Sequence, residues 1–282
     1  MRTSKKWGIA LSVLFAIISL FYLMPIVVVL INSFKDNIAV NSNVFALPNQ
    51  ETFVGWSNYV NGLTSGAYPF LYSAGYSFMI TILSAILILL CTSMAAWYIS
   101  RVDDIASRVV YFLCVFSMVV PFQMVMFTLA RTAYTLKLNT PWSIPVVYLG
   151  FGAGLAVFMF AGFVKNIPLE IEEAAMIDGC SEMKAMWKVM IPMASPGIIT
   201  VTIFNFMNIW NEYFMALIFA NGNDKIRTLS MGLQNMITSM KYTGDWAGLF
   251  AGVIIVLVPT LILYLLLSEK IVAGITGGAV KG

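Results

Sequence analysis

Apolar residues run along the chain in long blocks that are separated by short polar segments. A block of about 20 residues, rising about 1.5 Å per residue as a helix, can cross the roughly 30 Å apolar core of a bilayer. The pattern therefore predicts an all-α integral membrane protein with one transmembrane domain over residues 1–282. The six predicted spans are about 8–31, 71–100, 109–130, 142–164, 197–220 and 246–267.

Composition supports a membrane location. Hydrophobic residues make up 60% of the chain and charged residues only 10%, whereas about 25% of an average soluble domain is charged. Such a chain cannot cover itself with polar surface in water. The net charge is +3, and the basic residues lie at the ends of apolar blocks without forming an extended basic face. Membrane lipid is therefore an expected partner and nucleic acid is not.

The distribution of basic residues also predicts an orientation. If the N-terminus is cytoplasmic, the cytoplasmic segments carry more Lys and Arg than the outer ones, as the positive-inside rule requires. This places both termini, segment 165–196 and tail 268–282 on the cytoplasmic side of the cell (inner) membrane. The first apolar run is too long for a signal peptide and no small-residue cleavage site follows, so we expect it to be retained.

Several kinds of chemistry are missing from the chain. It contains no histidine, which removes the commonest metal ligand and the usual Ser-His and Cys-His pairs. The three cysteines form no visible pairing framework, and we interpret them as free thiols. No G-x-x-x-x-G-K-[ST] phosphate loop is present, so the chain is not expected to hold ATP. We therefore expect no catalytic residue, metal or bound cofactor.

The longest charged passage joins the fourth and fifth apolar blocks and reads EEAAMIDGCSEMKAMWKVMIP over residues 172–192. Pro168 suits the first turn of a helix, and the acidic residues after it suit the amino-terminal end of the helix dipole. Gly179 can adopt the left-handed conformation that ends a helix, and Ser181 can cap a second one. We predict two short amphipathic helices, the first over about 168–178. The predicted apolar stripe of the second consists of Met183, Met186, Trp187 and Met190.

The same passage carries a family resemblance. Glu173-Ala174-Ala175, then Gly179, then Val189-Met190-Ile191-Pro192 resemble the "EAA, glycine, I-x-L-P" signature of permease subunits of ATP-binding-cassette importers. Val189 and Ile191 depart from it conservatively. The segments WNEYF from Trp210, TLSMGL from Thr228 and the glycine-rich C-terminus are similar to the carbohydrate branch of that family, as in the smaller permease of maltose-type transporters.

The resemblance implies a type I ABC importer permease fold with a cytoplasmic coupling helix between spans four and five. It implies import of a sugar or oligosaccharide, with this chain forming half of the translocation path. The implied partners are a second homologous permease, two ATPase subunits that hold ATP and Mg, and an extracytoplasmic solute-binding protein. The residues expected to contact the ATPase are Glu173, Ala174, Ala175, Gly179, Met183, Met186, Trp187 and Pro192.

Polar residues interrupt the fifth predicted span. Their spacing places them on one broad flank of a helix, and polar groups at this depth are costly when they face hydrocarbon. They either hold helices together by hydrogen bonds or line the translocation path, where amides suit sugar hydroxyls because they both donate and accept. We hypothesise a path lined by Asn205, Asn208, Asn211 and Glu212.

Two questions stay open at this stage. The C-terminal tail is either a frayed end or docks on the ATPase, in which case its contacts would include Gly277, Gly278 and Lys281. The alternative functions are a stand-alone secondary transporter, a channel, or a permease for a non-sugar solute. Among Asp, Glu, Lys and Arg, Glu212 is the one residue inside the six predicted spans. That scarcity argues against ion coupling and leaves a channel possible.

Overall fold

The computed structural model describes residues 5–64, 70–220 and 228–279, and most of these residues are helical. Two compact units are formed, Met1–Leu71 with Gly232–Pro259 (unit 1) and Tyr72–Met231 with Thr260–Gly282 (unit 2). A π-helical turn, Met186–Met190, lies between α9 and α10. The helices are α1 Lys5–Asn32, α2 Asn37–Ser42, α3 Ser57–Thr64, α4 Phe70–Arg101, α5 Ile105–Ser117, α6 Phe122–Thr135, α7 Ile144–Lys165, α8 Leu169–Ile177, α9 Glu182–Ala185, α10 Ile191–Met193, α11 Ser195–Asn211, α12 Phe214–Ala220, α13 Leu229–Thr243 and α14 Trp246–Ala279.

Four helices in the described part of the chain are long and apolar enough to cross a membrane. They lie within Trp7–Asn32, Phe70–Arg101, Ile144–Lys165 and Trp246–Leu266. Two bent helix pairs, α5 with α6 and Glu182–Met193 with α11, also meet these criteria when each is taken together. The number of candidate spans is therefore four, or six if each bent pair makes one crossing.

The third predicted span, 109–130, is wrong as a continuous helix. The structure has α5 and α6 instead, and their directions differ by 110°. The break falls at Pro121, which has an extended backbone with φ −63° and ψ 134° and directly precedes α6. Proline lacks an amide hydrogen and its ring clashes with the preceding turn, so a helix does not pass through it undisturbed.

The fifth and sixth predicted spans also differ from the structure. Within 197–220 the helix stops at Asn211, and Glu212 is extended with φ −70° and ψ 129° before α12 begins. In the last predicted span the helix does not stop at 267, because α14 continues to Ala279. Residues 268–279, which we predicted as a tail, are therefore helical.

In unit 2, α7 packs against α5 and α11 through positions without bulky side chains. A Cβ placed on Gly154 would lie 2.5 Å from the backbone oxygen of Cys114 in α5. A Cβ on Gly152 would lie 2.6 Å from Oδ1 of Asn205 in α11. These two glycines therefore permit close helix contact, as small residues do in membrane bundles. Gly150 faces open space instead.

One face of α4 buries hydroxyl groups, which the sequence analysis did not identify. In a bundle, hydroxyl-bearing residues can hold neighbouring segments by hydrogen bonds without exposing charge to lipid. Ser77 accepts a hydrogen bond of 2.7 Å from the backbone nitrogen of Leu229, which starts α13. The sequence could have indicated this buried face, because most of the hydroxyl-bearing positions are three or four residues apart. The buried hydroxyl residues of α4 are Ser73, Ser77, Thr81, Ser84, Thr92 and Ser93.

In unit 1 the segment after α1 is held by buried polar contacts. Lys35 is buried, and its Nζ donates to Oδ1 of Asn32 at 3.0 Å and to the backbone oxygen of Asn43 at 2.9 Å. Burial lowers the pKa of Lys35, and the nearby Asp36 carboxylate opposes that shift. The hydroxyls of Ser33 and Tyr59 lie 2.6 Å apart, which joins the end of α1 to α3.

Asn37 connects this segment to the start of α14. Its Oδ1 accepts from the backbone nitrogens of Trp246 at 3.0 Å and Ala247 at 3.4 Å, and its Nδ2 donates to the backbone oxygen of Gly244 at 2.8 Å. The side chain therefore caps a helix that begins about two hundred residues later in the chain.

We expect Asn37→Ala to lower the free energy of unfolding by about 1–3 kcal/mol, because it leaves amide and carbonyl groups of the α13–α14 turn without their partner. Asn41→Ala is the matched control. Asn41 is exposed on the same short helix and its Nδ2 donates only to the backbone oxygen of Asn37, so a change within about 0.5 kcal/mol is expected. Thermal unfolding of the detergent-purified protein measures both, and equal effects would contradict the capping role.

Candidate functional site

The segment between α7 and α11 forms two helical arms joined by an elbow at residues 178–180. The first arm, α8, follows Pro168 and ends at Ile177, with Asp178 as its C-cap. Gly179 has a φ of +86°, the backbone nitrogen of Gly179 donates to the oxygen of Met176, and that of Cys180 donates to the oxygen of Ala175, both at 3.0 Å. This pair of bonds is a Schellman motif, which places glycine at the left-handed position. The predicted first helix and its glycine stop are confirmed.

The second arm begins where the sequence predicts. The hydroxyl of Ser181 accepts from the backbone nitrogen of Lys184, so Ser181 caps α9. The arm then changes to a π-helical turn over Met186–Met190 before α10, which was not predicted. Pro192 has no amide hydrogen to donate to the oxygen of Lys188, so α-helical bonding cannot continue unchanged at that point. π-Turns of this kind occur frequently at functional positions.

The predicted apolar stripe of the second arm is split between the protein interior and the surface. Met186 and Met190 are buried, whereas Met183 and Trp187 are exposed. The interior pair helps to hold the arm; Met190 packs with Val164 and Ala194. Only the exposed pair is available to another molecule.

The exposed surface around the elbow includes most of the residues matched to the family signature. Glu173, Ala174, Gly179 and Pro192 are exposed and Ala175 is partly so. Ile177 is 85% exposed and lies just before the elbow, which the sequence analysis did not single out. Its exposure could have been predicted from its position at the end of a short helix, where an apolar side chain has little to pack on. Met176, Met183 and Trp187 are exposed apolar residues on either side of the same elbow, and the four residues are here called the tip (Met176, Ile177, Met183, Trp187).

Glu172 behaves differently from its acidic neighbours. Glu170 and Glu173 are exposed, whereas Glu172 is buried. Its carboxylate lies 2.5 Å from the guanidinium of Arg101 and accepts a 2.9 Å hydrogen bond from Nε1 of Trp97. The sequence analysis did not distinguish Glu172 from these two acidic neighbours. A buried charge needs a partner in the same protein.

A second candidate region is a cavity of about 290 Å³ in unit 2. It lies among α6, α7, α11 and α12. Its walls include the aromatic rings of Phe122 and Phe151. Its polar lining residues are Gln123, Tyr148, Asn205, Asn208 and Glu212. Amide, phenol and carboxylate groups beside aromatic walls can bind a polar, hydroxylated solute.

Three of the four residues proposed for the path line this cavity. Asn208 is exposed on α11, whereas Asn205 is buried and its Nδ2 donates to the backbone oxygen of Val201 at 2.9 Å. Asn211 is exposed but is not part of the lining, and its Nδ2 donates back to Met207 at 2.8 Å. Gln123 and Tyr148, which the sequence analysis missed, are brought to the cavity by α6 and α7.

Glu212 has a structural task at the break between α11 and α12. Its Oε1 accepts from the backbone nitrogen of Met215 at 2.7 Å and its Oε2 from that of Ala216 at 3.1 Å. The hydroxyl of Tyr148 donates to the same Oε2 at 3.2 Å. A carboxylate at a helix amino terminus satisfies free amide groups and interacts favourably with the helix dipole. Glu212 therefore stabilises the break while it borders the cavity.

Trp210, the first residue of the WNEYF segment, does not line the cavity. It is buried against Phe78 and Phe206, with ring centroids 4.8 and 5.8 Å away. Of the C-terminal contact residues, Gly277 and Gly278 belong to α14, whereas Lys281 lies outside the described residues. In the described part of the chain no group of three or more His, Cys, Asp and Glu residues could hold a metal ion.

Comparison with known proteins agrees with this architecture. AmyC of Thermoanaerobacterium thermosulfurigenes, described as a probable permease protein of a starch degradation products transport system, is 32% identical over 94% of this chain and 94% of its own. The multiple sugar-binding transport system permease protein MsmG of Streptococcus mutans is 29% identical over 95% of both chains. A bacterial ABC transporter chain involved in import of the acidic polysaccharide alginate shares the fold, with a TM-score of 0.81 and 24% identity over 95% of this chain and 98% of its own.

The family described as "Binding-protein-dependent transport system inner membrane component" matches residues 88–268. The match covers α5 to α13, both candidate regions, the carboxyl-terminal part of α4 and the greater part of α14. The chain belongs to this family of membrane permease components.

Proposed function

We propose that the chain is the membrane-spanning subunit of an ATP-driven importer that receives a sugar or oligosaccharide from a binding protein. The relatives described above are named for starch degradation products and for multiple sugars, which supports a carbohydrate solute. The family description supplies the dependence on a binding protein. The amide groups and aromatic walls of the cavity suit hydroxyl groups and sugar rings.

In this proposal the chain crosses the membrane six times and both termini are cytoplasmic. α5 with α6 makes the third crossing, and α11 with α12 makes the fifth. The partners are a second permease, two ATPase subunits that bind ATP and Mg, and the binding protein. ATP hydrolysis takes place in the ATPase subunits, because this chain contains no phosphate loop.

The observation that carries the proposal is the exposed tip beside the elbow. An apolar surface on a short loop needs an occupant, and desolvated Trp and Met side chains are suitable anchors for a protein partner. We propose that the tip, with Glu173, Ala174, Ala175, Gly179 and Pro192, seats on the ATPase subunit. Closure of the ATPase on ATP would then shift the membrane helices between inward-open and outward-open states.

The cavity would form this chain's part of the solute path. Asn208 is the best placed of the proposed residues, because it is exposed and lines the cavity. Asn205 and Glu212 also line it but are less exposed, and their side chains bond to the local helices. Gly277, Gly278 and Lys281 are proposed as a secondary contact with the ATPase.

We expect Gly179→Val to abolish transport and to reduce the amount of ATPase that co-purifies with the chain. A non-glycine residue in the left-handed region costs about 1–2 kcal/mol and displaces the elbow. Gly162→Val is the matched control, since that α7 glycine faces open space without an unusual φ, and wild-type transport is expected. Membrane insertion should be normal in both variants. Normal transport by Gly179→Val would contradict the proposed contact.

The solute path is tested with single cysteines at positions 205, 208 and 211, introduced after removal of Cys91, Cys114 and Cys180. We expect a small polar thiol reagent to label Asn208→Cys at a rate that changes with ATP and with solute. Asn205→Cys should react slowly because the site is buried, and Asn211→Cys should not respond, because it does not line the cavity. Unreactive cysteines at all three positions in every state would mean that the polar flank only holds helices together.

A further inference from the structure

The buried carboxylate of Glu172 joins the first arm of the loop to a helix far away in the sequence. Arg101 is the last residue of α4, and Trp97 lies one turn before it. Nε of Arg101 donates to Oε1 of Glu172 at 2.5 Å, and Nε1 of Trp97 donates to Oε2 at 2.9 Å. Both carboxylate oxygens are therefore occupied by residues of α4.

Arg101 also holds the segment that leads into α8. Its Nη2 donates to the backbone oxygen of Ile167 at 3.0 Å. One guanidinium group thus contacts the residue before Pro168 and the carboxylate one turn into α8. The side chains of Arg101 and Glu172 are only 14% and 6% exposed, so water cannot readily replace either partner.

Burial determines how this contact responds to force. Two charges that face water can separate at little cost, but separating a buried pair leaves uncompensated charges in a low-dielectric environment. The end of α4 and the start of α8 must therefore move together, or nearby side chains must repack so that the ion pair stays intact. α8 is linked covalently to α7, so the ion pair gives it a second attachment to the membrane helices.

We infer that Glu172, Arg101 and Trp97 are positioning residues that transmit movement of α8 to α4. The inference rests on the proposed function, because it takes α8 as the element that the ATPase displaces. In that arrangement Glu173 and Ala174 face the partner, while Glu172 faces α4 from the same helix. One turn of α8 thereby connects the partner surface to a membrane helix.

The inference is tested on the complete importer in proteoliposomes, loaded with binding protein and its sugar, by measuring uptake and ATP hydrolysis together. For Glu172→Gln and Arg101→Gln we expect the sugar taken up per ATP to fall about tenfold, within the usual range of coupling between sites. ATP hydrolysis itself should stay within about twofold of wild type in the assembled complex, since the residues do not touch the nucleotide. The charge-swapped double variant, Arg101→Glu with Glu172→Arg, should recover part of the lost coupling.

Arg108→Gln is the matched control. Arg108 forms an ion pair of 2.8 Å with Asp103 in the same region, but those side chains are 69% and 82% exposed. Loss of an exposed pair should leave uptake per ATP unchanged. Trp97→Phe provides a milder variant that keeps a smaller aromatic ring and removes the hydrogen bond to Glu172. It should lower uptake per ATP by a smaller factor.

Failure of the inference and failure of the proposed function give different results in this assay. If Glu172→Gln and Trp97→Phe transport with the wild-type ratio, even from a smaller assembled fraction, the contact is only structural and the inference is overturned. If the wild-type complex shows no hydrolysis stimulated by loaded binding protein, the proposed function itself fails, and the inference fails with it.

Discussion

Hydrocarbon offers no partner for a polar group, and the arrangement of this chain follows from that constraint. Buried hydroxyls on α4 face the protein, the amide of Asn205 bonds back to its own helix, and Glu212 accepts three hydrogen bonds where α11 ends. Between Trp7 and Ile31, α1 has no buried polar side chain, and most of its apolar side chains are exposed. The break in the helix at Glu212 borders the cavity, as expected for irregular backbone, which is tolerated inside a bundle only where protein or water satisfies it.

The loop between α7 and α11 is short and is held at several points. In the proposed function it presents the tip to an ATPase subunit while remaining attached to the membrane helices. The left-handed Gly179 sets the angle between the arms, and buried Met186 and Met190 hold the second arm. The ion pair of Glu172 with Arg101 holds the first arm. A rigid attachment is what a force-transmitting contact requires.

Local chemistry explains which features could be predicted from the sequence. The helix stop at Gly179 and the cap at Ser181 depend on backbone preferences of single residues, and both were found. The inward direction of Glu172 could not be predicted, because Glu170, Glu172 and Glu173 all suit the amino terminus of a helix. Its burial depends on Arg101, 71 residues away. The break at Glu212 was missed for the same reason, since neither glycine nor proline marks it and its capping bonds arise only after folding.

The central claim is that the tip is the surface on which an ATPase subunit sits. The most direct measurement replaces Ile177, the most exposed residue of the tip, with a photo-cross-linking amino acid and illuminates membranes that contain the assembled complex. The same replacement at buried Ala185 serves as the reference. The account predicts a cross-linked product between this chain and the ATPase from position 177 and little or none from position 185. A complex that hydrolyses ATP but forms no such product from position 177 would contradict it.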